Sequence, residues 1–249
     1  MNILGIIPSR YASTRFPRKA LALIKGKSMI QRVYEQAIQC KELSKVIVAT
    51  DHSSIFDHVQ SFGGEVMLTS ELHVSGTDRC YEVLKKSPSI YDFVINIQGD
   101  EPFILPAQIS LLAKSLNPST ELATLIKKID SEEILFNPNS AKVIFNKNFE
   151  AIYFSRHPIP FLRGEEHEKW LKKHEYYKHI GIYAYRSDIL KDITKLKASS
   201  LENAESLEQL RWLENGYKIK VNITEMDSYG IDTPQDLEDV LLNFTMGSD

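Results

Sequence analysis

Short apolar segments rich in valine and isoleucine alternate along this chain with amphipathic segments of helical period. The apolar residues 3–7, for example, are followed by apolar side chains at helical spacing between Met29 and Ile38. Strands without alternating polarity, each followed by a helix, are typical of a parallel sheet that is covered on both faces. We therefore predict an α/β fold with a mostly parallel sheet flanked by helices.

The first half of the chain repeats this pattern regularly. We predict strands at 3–7, 46–50, 65–69, 92–98 and 122–129, and helices at 29–38, 53–62, 78–87 and 106–116. Open α/β sheets bind their ligands at the carboxyl ends of the strands. The segments 8–20, 50–52 and 98–102 are therefore expected to line the functional site.

The second half departs from the regular alternation. Strands at 142–146 and 151–156 are separated by a short link, which predicts an antiparallel pair. A strand at 178–186, a helix at 201–215 and a strand at 218–224 are predicted to follow. The last helix begins with Thr233 as N-cap and Asp236 at the capping-box position.

Neither a repeat nor a Pro/Gly-rich linker interrupts the sequence. We therefore predict one domain over 1–249, with an inserted antiparallel arm at about 157–178. The strongly charged part of this arm is interpreted as solvated rather than metal-binding, because its His and Glu spacing matches no zinc motif. The tail 245–249 lacks periodicity and is predicted to be disordered.

Charge and cysteine content exclude several classes of partner. The 30 basic and 33 acidic residues nearly balance over 249 residues, which argues against nucleic acid and anionic membranes as partners. No apolar run approaches the ~18 residues of a membrane span. Cys40 and Cys80 lack metal-binding spacing and are interpreted as free thiols, although a single disulfide stays open. We expect a cytoplasmic protein.

A basic segment lies between the first strand and the first helix. It places Arg10, Arg15, Arg18 and Lys19 where cations and backbone N–H groups could surround a polyphosphate. The alternative is a solvated basic loop, which is commoner for a charge run by itself. A GxGxxG pattern is missing, so dinucleotide binding is not indicated.

Two carboxylates stand at chemically suggestive positions. Asp100 follows a buried strand directly after Gly99, and Asp232 immediately precedes the last helix. Either could help to hold Mg²⁺ together with substrate phosphates, or could simply cap a helix. His179 lies in a predicted strand, where a lone histidine is more often structural than catalytic.

Eight segments in order resemble the family of 3-deoxy-manno-octulosonate (KDO) cytidylyltransferases, the CMP-KDO synthetases. The resemblance covers about residues 3 to 242, and its segments are 7–17, 49–51, 75–79, 96–102, 153–156, 179–183, 207–211 and 231–234. It implies a Rossmann-like enzyme that forms a homodimer partly through its arm. The implied reaction transfers CMP from CTP to the anomeric hydroxyl of KDO and releases pyrophosphate, for lipopolysaccharide synthesis.

The resemblance also assigns roles to individual residues. It implies that Arg10, Lys19, Asp100 and Asp232 are catalytic, and that the two aspartates hold Mg²⁺. CTP would be bound by Arg10, Lys19, Asp51, Ser75, Gly76, Arg79 and Gln98. The sugar acid would be bound by Gln98, Arg156, His179, Tyr183, Glu208 and Gln209.

One stretch departs from the family pattern. Arg18 and Ala20 stand where the family usually has glycine and proline, and Lys19 between them is retained. Because arginine lacks the φ freedom of glycine, the path of this loop is left open. Other readings also stay open: a cytidylyltransferase for 8-amino-KDO or a nonulosonate, a metal-dependent glycosyltransferase, and a CTP-binding protein without activity.

Overall fold

A computed structural model describes residues 1–12 and 16–246, with side chains described as far as Leu242. Arg15, one of the four predicted phosphate-loop cations, lies outside the described residues. The contacts group the chain into two compact units. Unit 1 comprises 1–113 and 228–249, and unit 2 comprises 114–227. Whether the chain is a single domain stays a prediction.

Unit 1 contains the parallel part of the fold. Its elements are β1 (Ile3–Ser9), β2 (Leu23–Ile24), β3 (Lys27–Ser28), α1 (Met29–Ala37), β4 (Lys45–Thr50), α2 (Ser53–Ser61), β5 (Val66–Leu68), α3 (Gly76–Lys86), β6 (Phe93–Asn96), α4 (Pro106–Lys114) and, after unit 2, α10 (Pro234–Met246). The strands β6, β1, β4 and β5 are neighbours in that order, and every pair is parallel. The predicted α/β class with a parallel sheet is confirmed.

The sequence explains why the sheet of unit 1 is a buried layer. Leu4, Ile6 and Ile7 of β1 are fully buried, although successive side chains in a strand point to opposite faces. A strand buried on both faces needs helices on both sides of the sheet, as the sequence pattern predicts. The β2–β3 hairpin then leads into α1, where the Ser28 hydroxyl accepts the Gln31 N–H.

Unit 2 is built around antiparallel pairing. Its elements are β7 (Leu122–Lys128), α5 (Glu132–Phe136), β8 (Lys142–Phe145), β9 (Ala151–Ser155), α6 (Trp170–Lys173), β10 (Tyr177–Arg186), α7 (Ser187–Ile193), α8 (Ser200–Glu205), α9 (Gln209–Glu214) and β11 (Ile219–Ile223). Strand β7 pairs antiparallel with β10 and parallel with β11, and β8 pairs antiparallel with β9 and β10. The predicted antiparallel β8–β9 pair is confirmed.

One predicted feature of unit 2 was wrong in detail. The single helix predicted over 201–215 is two helices, because Ser206 takes a left-handed conformation with φ 50° and ends α8. In the arm, the charged residues Glu166 and Glu168 are exposed, as interpreted, whereas Trp170 and Tyr176 are buried in a cluster with Ile129 and Leu135. A role of the arm in dimerisation stays a prediction.

The C-terminal tail was also only partly predicted. Helix α10 continues to Met246, so Thr245 and Met246 belong to a helix, while 247–249 lie outside the described residues. Cys40 and Cys80 are both buried free thiols, as interpreted. None of the helices in the described chain is both long and apolar enough to cross a membrane.

Candidate active site

The three predicted site segments meet at the carboxyl ends of the parallel strands in unit 1. A Cβ atom added to Gly99 would lie 2.7 Å from the Pro8 carbonyl oxygen, so only glycine permits this close approach. The Asp51 carboxylate, which follows β4, accepts the Tyr11 N–H at 3.0 Å. Segments that follow β1, β4 and β6 are therefore held together.

Lys19 joins two carboxylates that are far apart in sequence. Its ammonium nitrogen lies 2.7 Å from an oxygen of Asp100 and 2.9 Å from an oxygen of Asp232. The backbone supports this convergence, because the Ile231 N–H donates to the Asp100 carbonyl at 2.9 Å. Only 15% of the Lys19 side chain is exposed, whereas both aspartates remain open to solvent. A cation therefore already lies between these two carboxylates.

The donor set of Asp100 and Asp232 fits Mg²⁺. Mg²⁺ in nucleotide enzymes commonly takes one or two carboxylates and fills its other positions with water and substrate phosphates. Among the described residues, no cluster of three or more His, Cys, Asp or Glu side chains could hold a metal by itself. Two carboxylates that already share one cation match the requirement of a metal bound jointly with a substrate.

Asp51 and Arg79 form a nearly buried ion pair. The Arg79 guanidinium donates to Asp51 at 3.0 Å and also to the Thr69 hydroxyl, and Arg79 is 3% exposed. Since the other Asp51 oxygen accepts the Tyr11 N–H, the pair connects the basic segment that follows β1 to helix α3. Asp51 and Arg79 therefore stabilise the position of this segment. Their role in nucleotide binding stays a prediction.

Ser75 and Gly76 begin helix α3. The Ser75 hydroxyl accepts the Asp78 N–H at 3.1 Å, so Ser75 is the N-cap of this helix. Gly76 follows at the first helical position. Gln98 is partly exposed in the turn after β6, and its carbonyl accepts the Glu101 N–H. All three residues lie at the same strand ends as the Lys19 cluster.

The backbone at Arg18 adopts the conformation expected of the glycine that it replaces. Its φ is 60°, so the arginine accepts the left-handed conformation that a glycine would favour. Its guanidinium lies 5.6 Å from the centre of the Tyr11 ring, which in turn stacks on His52 at 3.7 Å. Arg10, by contrast, is exposed at the end of β1.

Glu101 is a buried carboxyl that the sequence did not single out. It is 8% exposed and is hydrogen-bonded to the Ser228 hydroxyl. Burial, together with the neighbouring Asp100 charge, raises the pKa of Glu101 to about 7, while the bond from Ser228 opposes this shift. Its position directly after Asp100 was the one available signal.

In unit 2, His179 and Tyr183 lie on strand β10 with ring centres 5.0 Å apart. The imidazole Nε2 is 3.0 Å from the Thr124 hydroxyl, and burial lowers the pKa of His179 to about 3. Burial also raises the pKa of the Tyr183 hydroxyl well above its usual value. Both side chains are therefore neutral hydrogen-bonding groups at physiological pH.

Helix α9 brings further polar groups to Tyr183. The Trp212 ring stands edge-on to the Tyr183 ring, with centres 5.1 Å apart. Three side-chain atoms of unit 2 are buried without a hydrogen-bond partner in its described residues: the Tyr183 hydroxyl, Gln209 Nε2 and Trp212 Nε1. The predicted residues Tyr183 and Gln209 are thus accompanied by Trp212, which sequence reasoning missed because an apolar helix face hides its N–H. Glu208, the residue before α9, is partly exposed.

Arg156 is held by backbone carbonyls. Its guanidinium donates to the carbonyls of Glu205 at 2.6 Å, Pro138 at 2.9 Å and Ser206 at 3.2 Å. Three of its five N–H donors are therefore engaged with the protein. A bidentate contact with a sugar carboxylate stays a prediction.

Comparisons with known proteins identify the family. The family model described as "Cytidylyltransferase" matches residues 4–219. The 3-deoxy-manno-octulosonate cytidylyltransferase of Parabacteroides distasonis is 57% identical over 246 residues, covering 97% of each chain. The chain belongs to the KDO cytidylyltransferase family. The enzyme of the same name from Cytophaga hutchinsonii is 58% identical over 238 residues and 95% of each chain.

A solved structure supports the same assignment. The CMP:2-keto-3-deoxy-manno-octonic acid synthetase complexed with CTP superposes with a TM-score of 0.91 at 41% identity, covering all of both chains. The resemblance drawn from the eight segments is confirmed, and with it the nucleotidyltransferase class. Individual residue roles in this KDO cytidylyltransferase family member stay predictions.

Proposed function

We propose that this protein transfers CMP from CTP to the anomeric hydroxyl of KDO, giving CMP-KDO and pyrophosphate for lipopolysaccharide synthesis. The observation that carries the chemistry is the convergence of Lys19, Asp100 and Asp232 on one point. Cation and carboxylates from three separate segments meet there, as phosphoryl transfer by positioning and electrostatics requires. The relatives at 57% and 58% identity support the choice of CTP and KDO.

Unit 1 supplies the proposed nucleotide-binding residues. Arg10 and Lys19 would bind the triphosphate and stabilise the charge that develops on its oxygens during transfer. Asp51, Ser75, Gly76, Arg79 and Gln98 would surround the cytidine. Because the guanidinium of Arg79 is engaged with Asp51 and Thr69, we expect it to shape this pocket through its partners.

We propose Mg²⁺ as the cofactor, held by Asp100 and Asp232. When bound, the metal would lower the pKa of the sugar hydroxyl and offset charge on the α-phosphate. Lys19 would then leave the carboxylates and turn to the triphosphate, since both cations cannot occupy one position. The two aspartates would orient the bound metal. The sugar hydroxyl is itself the nucleophile, so no protein nucleophile is needed.

Unit 2 supplies the proposed residues for the sugar acid. The neutral His179, Tyr183 and Gln209 offer hydrogen-bonding groups suited to hydroxyls, and two of these groups are buried and unpartnered in the described structure. Glu208 would accept bonds from further hydroxyls, and Arg156 would offer its two remaining N–H groups to the carboxylate.

The test is pyrophosphate release with CTP and Mg²⁺ across KDO, 8-amino-KDO and sialic acid. We expect turnover with KDO, and we expect Asp100→Asn to abolish it while circular dichroism stays unchanged. A matched control is Asp92→Asn, which alters an exposed carboxylate of unit 1 that accepts the Asn2 N–H.

Other outcomes would redirect the proposal. Preference for 8-amino-KDO or sialic acid would change the substrate, and sugar transfer without pyrophosphate would indicate a glycosyltransferase. Binding of CTP without turnover on any sugar acid would overturn the enzymatic proposal.

The proposal includes a homodimer and a cytoplasmic location. Within the predicted arm, the apolar side chain of Phe161 is 67% exposed, and Phe149 and Ile152, which precede the arm in sequence, are exposed as well. A contiguous patch of such side chains would favour a protein interface. A reducing cytoplasm suits the two free thiols and provides the nucleotide.

A further inference from the structure

The turn between helices α8 and α9 is cross-linked to the end of strand β9. The Glu205 carboxylate accepts the Ser155 hydroxyl at 2.7 Å through one oxygen and the Arg156 N–H at 2.8 Å through the other. In the opposite direction, the Arg156 guanidinium donates to the carbonyls of Glu205 and Ser206. We call this reciprocal set, Ser155, Arg156, Glu205 and Ser206, the α8 clamp.

The clamp holds a strained backbone. Ser206 has φ 50° and ψ 49°, a left-handed conformation that is unfavourable for a residue with a Cβ. Such a conformation persists only where surrounding contacts over-determine it. The guanidinium also satisfies two carbonyls at the end of α8 that lack an intrahelical partner.

The same turn decides where helix α9 begins. Leu207 and Glu208 are the only residues between Ser206 and Gln209, the first residue of α9. Gln209 and Trp212 lie on one face of α9, and Trp212 contacts the Tyr183 ring. A shift of the turn would therefore move Glu208 and Gln209 together relative to Tyr183.

We infer that Glu205 is a positioning residue for the sugar-acid site and acts through the α8 clamp on Glu208 and Gln209. This inference rests on the proposed function, because it takes those two residues as sugar ligands. It adds a residue that makes no contact with the substrate. Arg156 contributes to the same clamp through its engaged donors.

The test compares Glu205→Ala with Glu205→Gln in the full-length protein. The alanine variant loses both carboxylate bonds, and we expect its KM for KDO to rise about tenfold or more, with the KM for CTP within twofold. Glutamine can still accept the Arg156 N–H and can donate to the Ser155 hydroxyl, so its KM for KDO should stay within threefold of the wild type.

Glu214→Ala is the matched control. Glu214 is an exposed residue of α9 that also accepts bonds from α8, from the Ser200 hydroxyl and the Leu201 N–H. It lies outside the proposed site, so its KM for KDO should not change. Ser155→Ala, which removes one clamp bond without altering α8, should give an intermediate rise and covers the case in which Glu205→Ala does not fold.

Hydrogen exchange of residues 206–211 gives a readout that needs no substrate. We expect faster exchange in Glu205→Ala and Ser155→Ala, but not in Glu214→Ala. A wild-type KM for KDO in folded Glu205→Ala, or unchanged exchange in 206–211, would overturn the inference. Loss of all turnover in the wild-type protein would instead overturn the proposed function, so the two failures are distinguishable.

Discussion

At the scale of single residues, Lys19 combines two requirements of the proposed reaction. Its ammonium pairs with both Asp100 and Asp232 and offsets one of their two negative charges, which reduces the repulsion between these neighbouring carboxylates. In the proposed reaction the same charge would bind the triphosphate. We therefore propose two roles for one side chain, pairing with the carboxylates and contacting the substrate phosphates.

Lys19→Met should separate these two roles. Without the ammonium, the aspartates keep a charge of about −2, so Mn²⁺ binding in the absence of CTP should tighten by about tenfold. Turnover should fall by ~10²–10³, as for loss of one electrostatic donor. Mn²⁺ electron paramagnetic resonance and pyrophosphate release measure the two effects. Lys27→Met, which removes an exposed partner of Glu35, is the control; unchanged Mn²⁺ affinity in Lys19→Met would contradict the prediction.

Lys142 is a second lysine whose environment has a measurable consequence. It is fully buried and donates to the carbonyls of Asn137 and Ser140. Burial, assisted by the Arg156 charge and opposed by Glu205, lowers the pKa of Lys142 from 10.5 to about 8. Between these two values the unfolded chain binds more protons than the folded one.

The stability contributed by Lys142 should therefore rise with pH between about 8 and 10.5. Urea unfolding of the wild type and Lys142→Met at pH 7 and pH 10 tests this. We expect the stability difference between them to shift by about 2–3 kcal/mol in favour of the wild type at the higher pH. A difference that is independent of pH would show that the pKa of Lys142 is not lowered.

At the scale of elements, the cap of helix α10 determines the position of Asp232. One oxygen of Asp236 accepts the N–H groups of Asp232 and Thr233, both at 2.8 Å, and the Thr233 hydroxyl accepts the Asp236 N–H at 3.2 Å. This is the reciprocal arrangement predicted from the sequence. It shows that a cap residue and a proposed metal ligand are parts of one local structure.

Asp236→Ala should destabilise the protein by about 1 kcal/mol, the usual cost of losing a cap. It should also raise the Mg²⁺ concentration needed for half-maximal rate, since the Asp232 backbone loses its anchor. Chemical denaturation and a Mg²⁺ titration of turnover measure both. Asp239→Ala, which removes only an exposed bond from Gln235, should change neither; an unaltered Mg²⁺ requirement in Asp236→Ala would separate the cap from the metal.

At the scale of the whole molecule, the proposed homodimer can be tested through its exposed apolar side chains. Light scattering of the wild type should give twice the 28.5 kDa mass of one chain. Phe161→Asp should favour the monomer, because it places a charge in an apolar interface. Leu72→Asp, a change at an 83% exposed position of unit 1, is the control. A wild-type monomer, or a Phe161→Asp dimer of unchanged stability, would contradict the role given to the arm.

The near-neutral total charge of the chain does not mean that its charges are evenly distributed. Among its 30 basic and 33 acidic residues, some cations and carboxylates meet in defined clusters. Lys19 with Asp100 and Asp232, and Arg79 with Asp51, are two of them. A balanced total is thus compatible with a locally charged site.

Local patterns were sufficient to predict most elements. The apolar strand segments, the Ser and Thr caps and the glycine ends act over a few residues, so they are legible without the rest of the fold. The helix at 201–215 was predicted as continuous because its amphipathic period hides the break. That break depends on Arg156 and Glu205, which lie 49 residues apart.

The sequence by itself determined the α/β class, the mostly parallel sheet that its alternating strands and helices predict, and the family to which the chain belongs. Tertiary structure decided that Lys19 lies between Asp100 and Asp232, that Arg79 is buried against Asp51, and that Arg156 supports a turn. The physical reason is the separation along the chain over which each interaction acts. Hydrophobic period and capping operate within one element, whereas charge pairing and backbone strain depend on groups that only folding brings within about 3 Å of each other.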